Sequence, residues 1–159
     1  MSKLTPATVA LTKAGVPFEL CRYDYDPRAE RIGLAAAQAL GAPPAAVLKT
    51  LMTVVDGKPV CVVLPSDREV AMKALAAAVG GKSAAMMPPA DAERITGYHV
   101  GGISPFGRKR PSPTVIEADA MALPAVYING GQRGLLLRLS PADAQRMLDA
   151  AVAAICVSV

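Results

Sequence analysis

"LKTLMTVVDGKPVCVVLP", Leu48 to Pro65, places two apolar runs rich in β-branched residues on either side of Asp56-Gly57. Asp-Gly favours a tight two-residue turn, so the stretch predicts an antiparallel hairpin. Period-two alternation puts Lys49 on one face with Leu51, Thr53 and Val55. Lys49 then has two readings. Either it guards an edge strand from aggregation, or its face points inward and it brings a positive charge to an otherwise apolar cavity. There it would need an anionic or carbonyl partner.

Outward from the hairpin, punctuation residues mark the other elements. Thr5-Pro6 is a helix-starting pair and Gly15 a stop, which predicts a helix over Pro6–Ala14. Phe18–Tyr23 reads as a strand, and Arg31–Leu40 as a second helix closed by Gly41 and Pro43-Pro44. Ser66 with Glu69 has the spacing of a capping box before an alanine-rich helix that ends near Val79, with Gly80-Gly81 beyond it. "PADAERITG" (89–97) predicts a short helix, "PTVIEA" (113–118) and "AVYING" (125–130) strands, and Gly134–Leu139 another strand. Ser140-Pro141 caps a final helix expected over Pro141–Ala154. This order is not a regular βαβ alternation, so the expected class is α+β, with a mixed, barrel-like sheet flanked by helices.

The 159 residues suit one domain, and 52% apolar against 19% charged residues suits a packed core built mainly from Val, Leu, Ile and Met. No apolar run approaches the roughly 18–20 residues of a membrane span, and the N-terminal stretch lacks the apolar centre of a signal peptide. Cys21, Cys61 and Cys156 are widely spaced with no CxxC pair. The expectation is a cytoplasmic protein with no membrane contact, disulfide framework or zinc site. A net charge of +4 and a pI near 9.1 admit a polyanionic partner without demanding one.

Familiar catalytic constellations are missing. His99 is the only histidine, no GxSxG elbow accompanies it, and neither a P-loop nor a strand-linked GxGxxG occurs. No metal and no cofactor is expected. Gly101-Gly102, ahead of Ile103 and Ser104, is either a simple turn or a backbone held against a carbonyl or phosphate with its N–H groups free. The run Arg108-Lys109-Arg110 is either solvated surface or a phosphate contact that reads no bases.

Five segments in order, "YDYDP" (23–27), "LKTLM" (48–52), "TGYHVGGISPFGRKR" (96–110), "PTVIEADA" (113–120) and "YINGGQRGL" (127–135), resemble the YbaK family of aminoacyl-tRNA editing proteins, which includes free-standing Cys-tRNA(Pro) deacylases. The resemblance implies the fold of the YbaK and prolyl-tRNA-synthetase-associated editing domains, spanning the whole chain, and action on the ester joining a wrong amino acid to tRNA(Pro). It makes Lys49 the residue that orients the charged 3′ end, and Gly101 and Gly102 the backbone that holds the aminoacyl carbonyl. Tyr23, Ile32, Ile103, Ser104, Asn129, Gly130 and Gly131 would bind substrate, and Arg108, Lys109 and Arg110 the tRNA backbone. In the Cys-specific branch the substrate's thiol attacks its own carbonyl, which needs no protein nucleophile. Mischarged tRNA(Pro), with prolyl-tRNA synthetase in a transient complex, is the implied partner. Asn129 stands where the resemblance leads one to expect Ser or Thr, so Ala-tRNA(Pro) deacylation is an alternative within the family. A non-catalytic tRNA- or synthetase-binding module is the alternative outside it.

Overall fold

The computed structural model describes residues 5–26, 28 and 32–157. The hairpin forms as the turn chemistry requires. Strand β2 (Leu48–Val55) pairs antiparallel with β3 (Lys58–Pro65) along its whole length, from Leu48 opposite Pro65 to Val55 opposite Lys58. Asp56 and Gly57 both take left-handed backbone, φ 50° and 82°, which matches the twist of the flanking strands. The Asp56 carboxylate accepts the N–H groups of Lys82 (2.9 Å) and Ser83 (3.0 Å), fastening the turn to the chain that follows the alanine-rich helix.

The remaining elements are α1 (Pro6–Lys13), β1 (Glu19–Arg22), α2 (Ile32–Leu40), α3 (Met72–Ala78), β4 (Ala84–Met86), α4 (Pro89–Thr96), β5 (Thr114–Glu117), β6 (Val126–Asn129), β7 (Leu135–Leu139), α5 (Pro141–Leu148) and β8 (Ala151–Ala153). One sheet has the order β4-β2-β3-β5-β8 and the other β1-β7-β6. β5 runs parallel to both β3 and β8, so the larger sheet is mixed. A parallel bridge between Val47 and Tyr127 joins the two sheets. Among the described residues they form two open sheets and not a closed barrel.

The two faces of β3 feed different cores. Cys61 and Val63 pack with Leu11, Phe106, Ile128 and Leu137, whereas Val60, Val62 and Leu64 pack with Leu75, Val115 and Ile155. Burial at 0% exposure pushes the Cys61 thiol up to about 11, which suits a space-filling role.

Two expectations need correction. Ser66 and Glu69 form no capping box: α3 begins at Met72 after an Ala71 cap with no side-chain bond. Ser66 directly follows β3 and lies beside Val47 just ahead of β2, so its N–H and hydroxyl both donate to the Val47 carbonyl. The final helix stops at Leu148, not Ala154, because Asp149 turns left-handed (φ 50°) and the chain continues as β8. Short β4 also escaped prediction, since Ala84–Met86 has no sequence alternation of its own and is a strand because β2 templates it.

Glu117 holds the C-terminal segment. It is only 2% exposed, and its carboxylate accepts the N–H groups of Asp119 (2.9 Å), Ile155 (2.8 Å) and Cys156 (3.1 Å). Burial alone would raise its pKa, but these hydrogen bonds outweigh burial and hold the carboxyl below the ordinary glutamate range. The stabilisation is therefore complete above that range and is lost as pH falls through the folded-state value. Glu117→Gln should destabilise the fold by about 1–3 kcal/mol at pH 7. In denaturant titrations the gap to wild type should shrink below about pH 4, and a pH-independent gap would contradict the charge-based account.

Candidate active site

β4 covers only half of the outer edge of β2, and a cavity of about 490 Å³ opens where that cover ends. The register explains which groups face it. Val55 and Lys58 flank the two-residue turn as a hydrogen-bonded pair, so alternate residues back along β2 direct their backbone groups toward β3 or away from it. Met52 faces away, and its carbonyl accepts the Met87 N–H (3.1 Å). The next outward residue, Thr50, has no strand partner on that edge among the described residues. Thr50 lines the cavity, and its buried Oγ1 has no hydrogen-bond partner among the described residues. Sequence reasoning missed Thr50, because only the shortness of β4 leaves it uncovered.

Lys49 also lines the cavity, with its side chain 25% exposed and its Nζ 3.9 Å from Glu69 Oε1. That distance to an exposed carboxylate makes a weak ion pair, which biases the ammonium's direction and leaves its donors for a ligand. The backbone carrying Glu69 is itself fixed, since Val157 N–H donates to the Glu69 carbonyl (2.8 Å).

Gly101 and Ile103 bring the segment after α4 to the cavity wall. Asn129, at the end of β6, braces that wall. Its Nδ2 donates to the Gly101 carbonyl (3.2 Å), while its Oδ1 accepts the N–H groups of Gly131 (2.7 Å) and Gln132 (3.2 Å). Asn129 lines the cavity with one amide N–H uncommitted. Gly101 sits at φ 90°, and a Cβ there would lie 2.7 Å from Tyr25 Oη. Gly102 departs from the expectation of a free amide, because its N–H already donates to the His99 carbonyl (2.8 Å), whereas the Gly101 N–H has no hydrogen-bond partner among the described residues. A Cβ on Gly102 would lie 2.9 Å from Arg133 N, so its role is close backbone packing.

The other expected residues divide. Tyr23 lines the cavity, and burial pushes its phenol pKa up. Ile32 opens α2 and its side chain lies outside the described residues, though the adjacent Gly33 reaches the cavity. Ser104 is fully buried, and its Oγ accepts the Phe106 N–H (3.2 Å), so it supports the wall from behind. Gly130 and Gly131 shape the β6–β7 loop, with the Gly130 carbonyl accepting from Thr5 Oγ1 (2.6 Å).

Arg108 does not stay at the surface. Its guanidinium donates to the carbonyls of Pro105 (2.9 Å) and Ser112 (3.3 Å) and to the hydroxyls of Ser112 (2.8 Å) and Thr114 (2.8 Å). Those bonds bind the loop to β5 and leave little of the fork for phosphate. Lys109 and Arg110 are exposed. Arg110 lines a separate hollow of about 530 Å³ at the hairpin tip, with Asp56 and Lys58. Lys49 and Asp56 at that tip are seven residue steps apart, roughly 24 Å along the strand. Among the described residues, no helix is long and apolar enough to cross a membrane.

Comparison with known proteins agrees with this architecture. A protein of Enterococcus faecalis named as a Cys-tRNA(Pro)/Cys-tRNA(Cys) deacylase, EbsC, is 38% identical over 106 residues. The match covers 66% of this chain and 65% of that protein. A solved structure described as a trans-editing enzyme for prolyl-tRNA synthetase superposes with a TM-score of 0.84 at 24% identity, covering 98% of this chain and all of that one. The hypothetical protein APE2540 superposes with a TM-score of 0.85 at 23% identity, covering 96% of this chain and 100% of that one. At those identities the structures speak for the fold. The sequence itself matches the aminoacyl-tRNA editing domain over residues 27–147, and the chain belongs to that family.

Proposed function

We propose that the chain is a trans-editing deacylase that removes cysteine from mischarged Cys-tRNA(Pro). The observation that carries this reading is the placing of Lys49 and the Gly101 backbone on one cavity whose lining contains neither cysteine nor histidine. Such a site offers charge, shape and one free backbone N–H, and leaves the nucleophile to the substrate. The cysteine thiol attacks the ester carbonyl carbon, so an S–C bond forms and the bond to the ribose oxygen breaks. The thiol proton ends on that oxygen, and a cyclic thiolactone leaves.

Gly101 N–H stabilises the developing oxyanion, Lys49 orients the charged 3′ end through phosphate or polar groups near the ester, and Thr50 adds a hydroxyl with no partner among the described residues. Tyr23, Ile103 and Asn129 bound the aminoacyl moiety. Proline carries no thiol, so correctly charged tRNA survives. A second, chemically distinct site serves where size alone separates cysteine from proline poorly. Lys109 and Arg110 remain as outer phosphate contacts, and a transient complex with prolyl-tRNA synthetase supplies discrimination among tRNAs.

Incubation with Cys-tRNA(Pro), Ala-tRNA(Pro) and Pro-tRNA(Pro) tests the reading, with thiolactone followed by mass spectrometry. Cleavage of the cysteinyl species with thiolactone is expected. Cleavage of Ala-tRNA(Pro) alone would replace the cysteine reading, and salt-sensitive binding without turnover would leave only a binding module. Lys49→Ala should lower kcat/KM for Cys-tRNA(Pro) by about 10²–10³ while the melting temperature holds; wild-type kinetics would remove Lys49 from the site. Gly102→Ala, whose new methyl meets the Gln132–Arg133 backbone, should cost about 1–3 kcal/mol of stability and reduce turnover as the wall moves. Unchanged melting and turnover would show that the two loops need not touch.

A further inference from the structure

Arg133 was not among the expected site residues, yet it stands directly behind the Gly101 wall. Its Nε donates to the Val100 carbonyl (2.9 Å), and its Cζ lies 5.4 Å from the centre of the Tyr25 ring. A Cβ on Gly101 would meet both partners, Tyr25 Oη at 2.7 Å and Arg133 Nε at 3.2 Å. Val100 and Gly101 both line the cavity, so the guanidinium is fixed at its rim within one residue of the wall.

The anchoring uses only part of the group. Nε is spent on Val100 and one face lies over Tyr25, while the two terminal nitrogens make no hydrogen bond or ion pair among the described residues. Arg133 remains exposed in spite of these contacts. A planar fork held in position with free terminal N–H groups pays little entropy to grip a phosphate in two-point fashion. Arg108, by contrast, is occupied on nearly all its donors. Arg22 brings a second positive charge to this loop, its guanidinium 3.5 Å from Oε1 of Gln132, the residue before Arg133.

We infer that Arg133, backed by Tyr25, is the binding residue for the phosphodiester 5′ to the terminal adenosine of the charged tRNA. The inference rests on the deacylase reading for its substrate and assigns that reading a phosphate contact. An aminoacyl ester at Lys49 and Gly101 places the terminal ribose at the cavity mouth, and the first phosphate follows one nucleoside further out. Gly101 has no side chain, which lets the guanidinium approach the ribose from behind the wall.

The test pairs two small substrates, the cysteinyl ester of adenosine and that of adenosine 5′-monophosphate, with full Cys-tRNA(Pro). Arg133→Ala should raise KM roughly ten- to hundred-fold for both phosphate-bearing substrates and leave the adenosine ester at its wild-type value. Arg133→Lys, which keeps charge and loses the fork, should recover part of the loss. Binding of uncharged tRNA across a salt series should lose about one phosphate from its slope in Arg133→Ala. Equal losses on all three substrates would mark Arg133 as a structural latch for Val100 and overturn the inference. An unchanged KM together with an unchanged salt slope would overturn it too. If wild type cleaves none of the substrates, the deacylase reading fails, and the salt slope still decides whether Arg133 holds a phosphate.

Discussion

The ladder between β2 and β3 is the constraint on which both core and site depend. β3 is apolar on both faces, and each face belongs to a different core. A one-residue slip would turn each apolar set toward the other core, so the register is held from both sides. The same ladder decides where the cavity lies. Inward backbone groups of β2 are consumed by β3, outward ones by β4 as far as Met52, and the cavity begins where that cover ends. Stability and site geometry are consequences of one register.

Around the cavity most polar side chains hold backbone. Asn129 spans the Gly101 wall and its own loop, Ser66 and Ser104 are tied to neighbouring main chain, and Arg108 clamps its loop to β5. Among the described residues of the cavity lining, the Thr50 hydroxyl has no hydrogen-bond partner and the Lys49 ammonium makes only a long ion pair with Glu69. A rigid wall with little titratable chemistry suits a reaction whose nucleophile arrives with the substrate, because positioning then supplies most of the acceleration. It also accounts for Asn129 where a hydroxyl residue was expected. Its carboxamide carries donor and acceptor on separate atoms, so one side chain reaches both the Gly101 carbonyl and the N–H groups of Gly131 and Gln132.

Elements with their own punctuation were legible in the sequence. Thr5 caps α1 with Thr8, Gly97 closes α4 in left-handed backbone, and Ser140 caps α5. Elements that exist because a neighbour templates them were not. β4 lies on β2, β8 lies on β5, and Asp149 ends α5 with none of the usual glycine signals. The Ser66–Glu69 spacing was a false signal, because a free carbonyl on the adjacent strand competed for the serine.

What the sequence determined by itself was the hairpin, its Asp56-Gly57 turn, the alternation carrying Lys49, and the motif order marking the editing family. These depend on φ/ψ preferences and side-chain alternation over a few residues. Tertiary structure alone decided how far β4 covers the edge of β2, that the Gly102 N–H is taken by the His99 carbonyl, and which arginine of the basic run is drawn into the fold. Those outcomes turn on competition for hydrogen-bond partners far apart in the chain, as Thr5 and Gly130 show at a separation of 125 residues. Three consecutive basic residues look alike in sequence, but Arg108 had acceptors within reach once the loop folded against β5, whereas Lys109 and Arg110 stayed exposed.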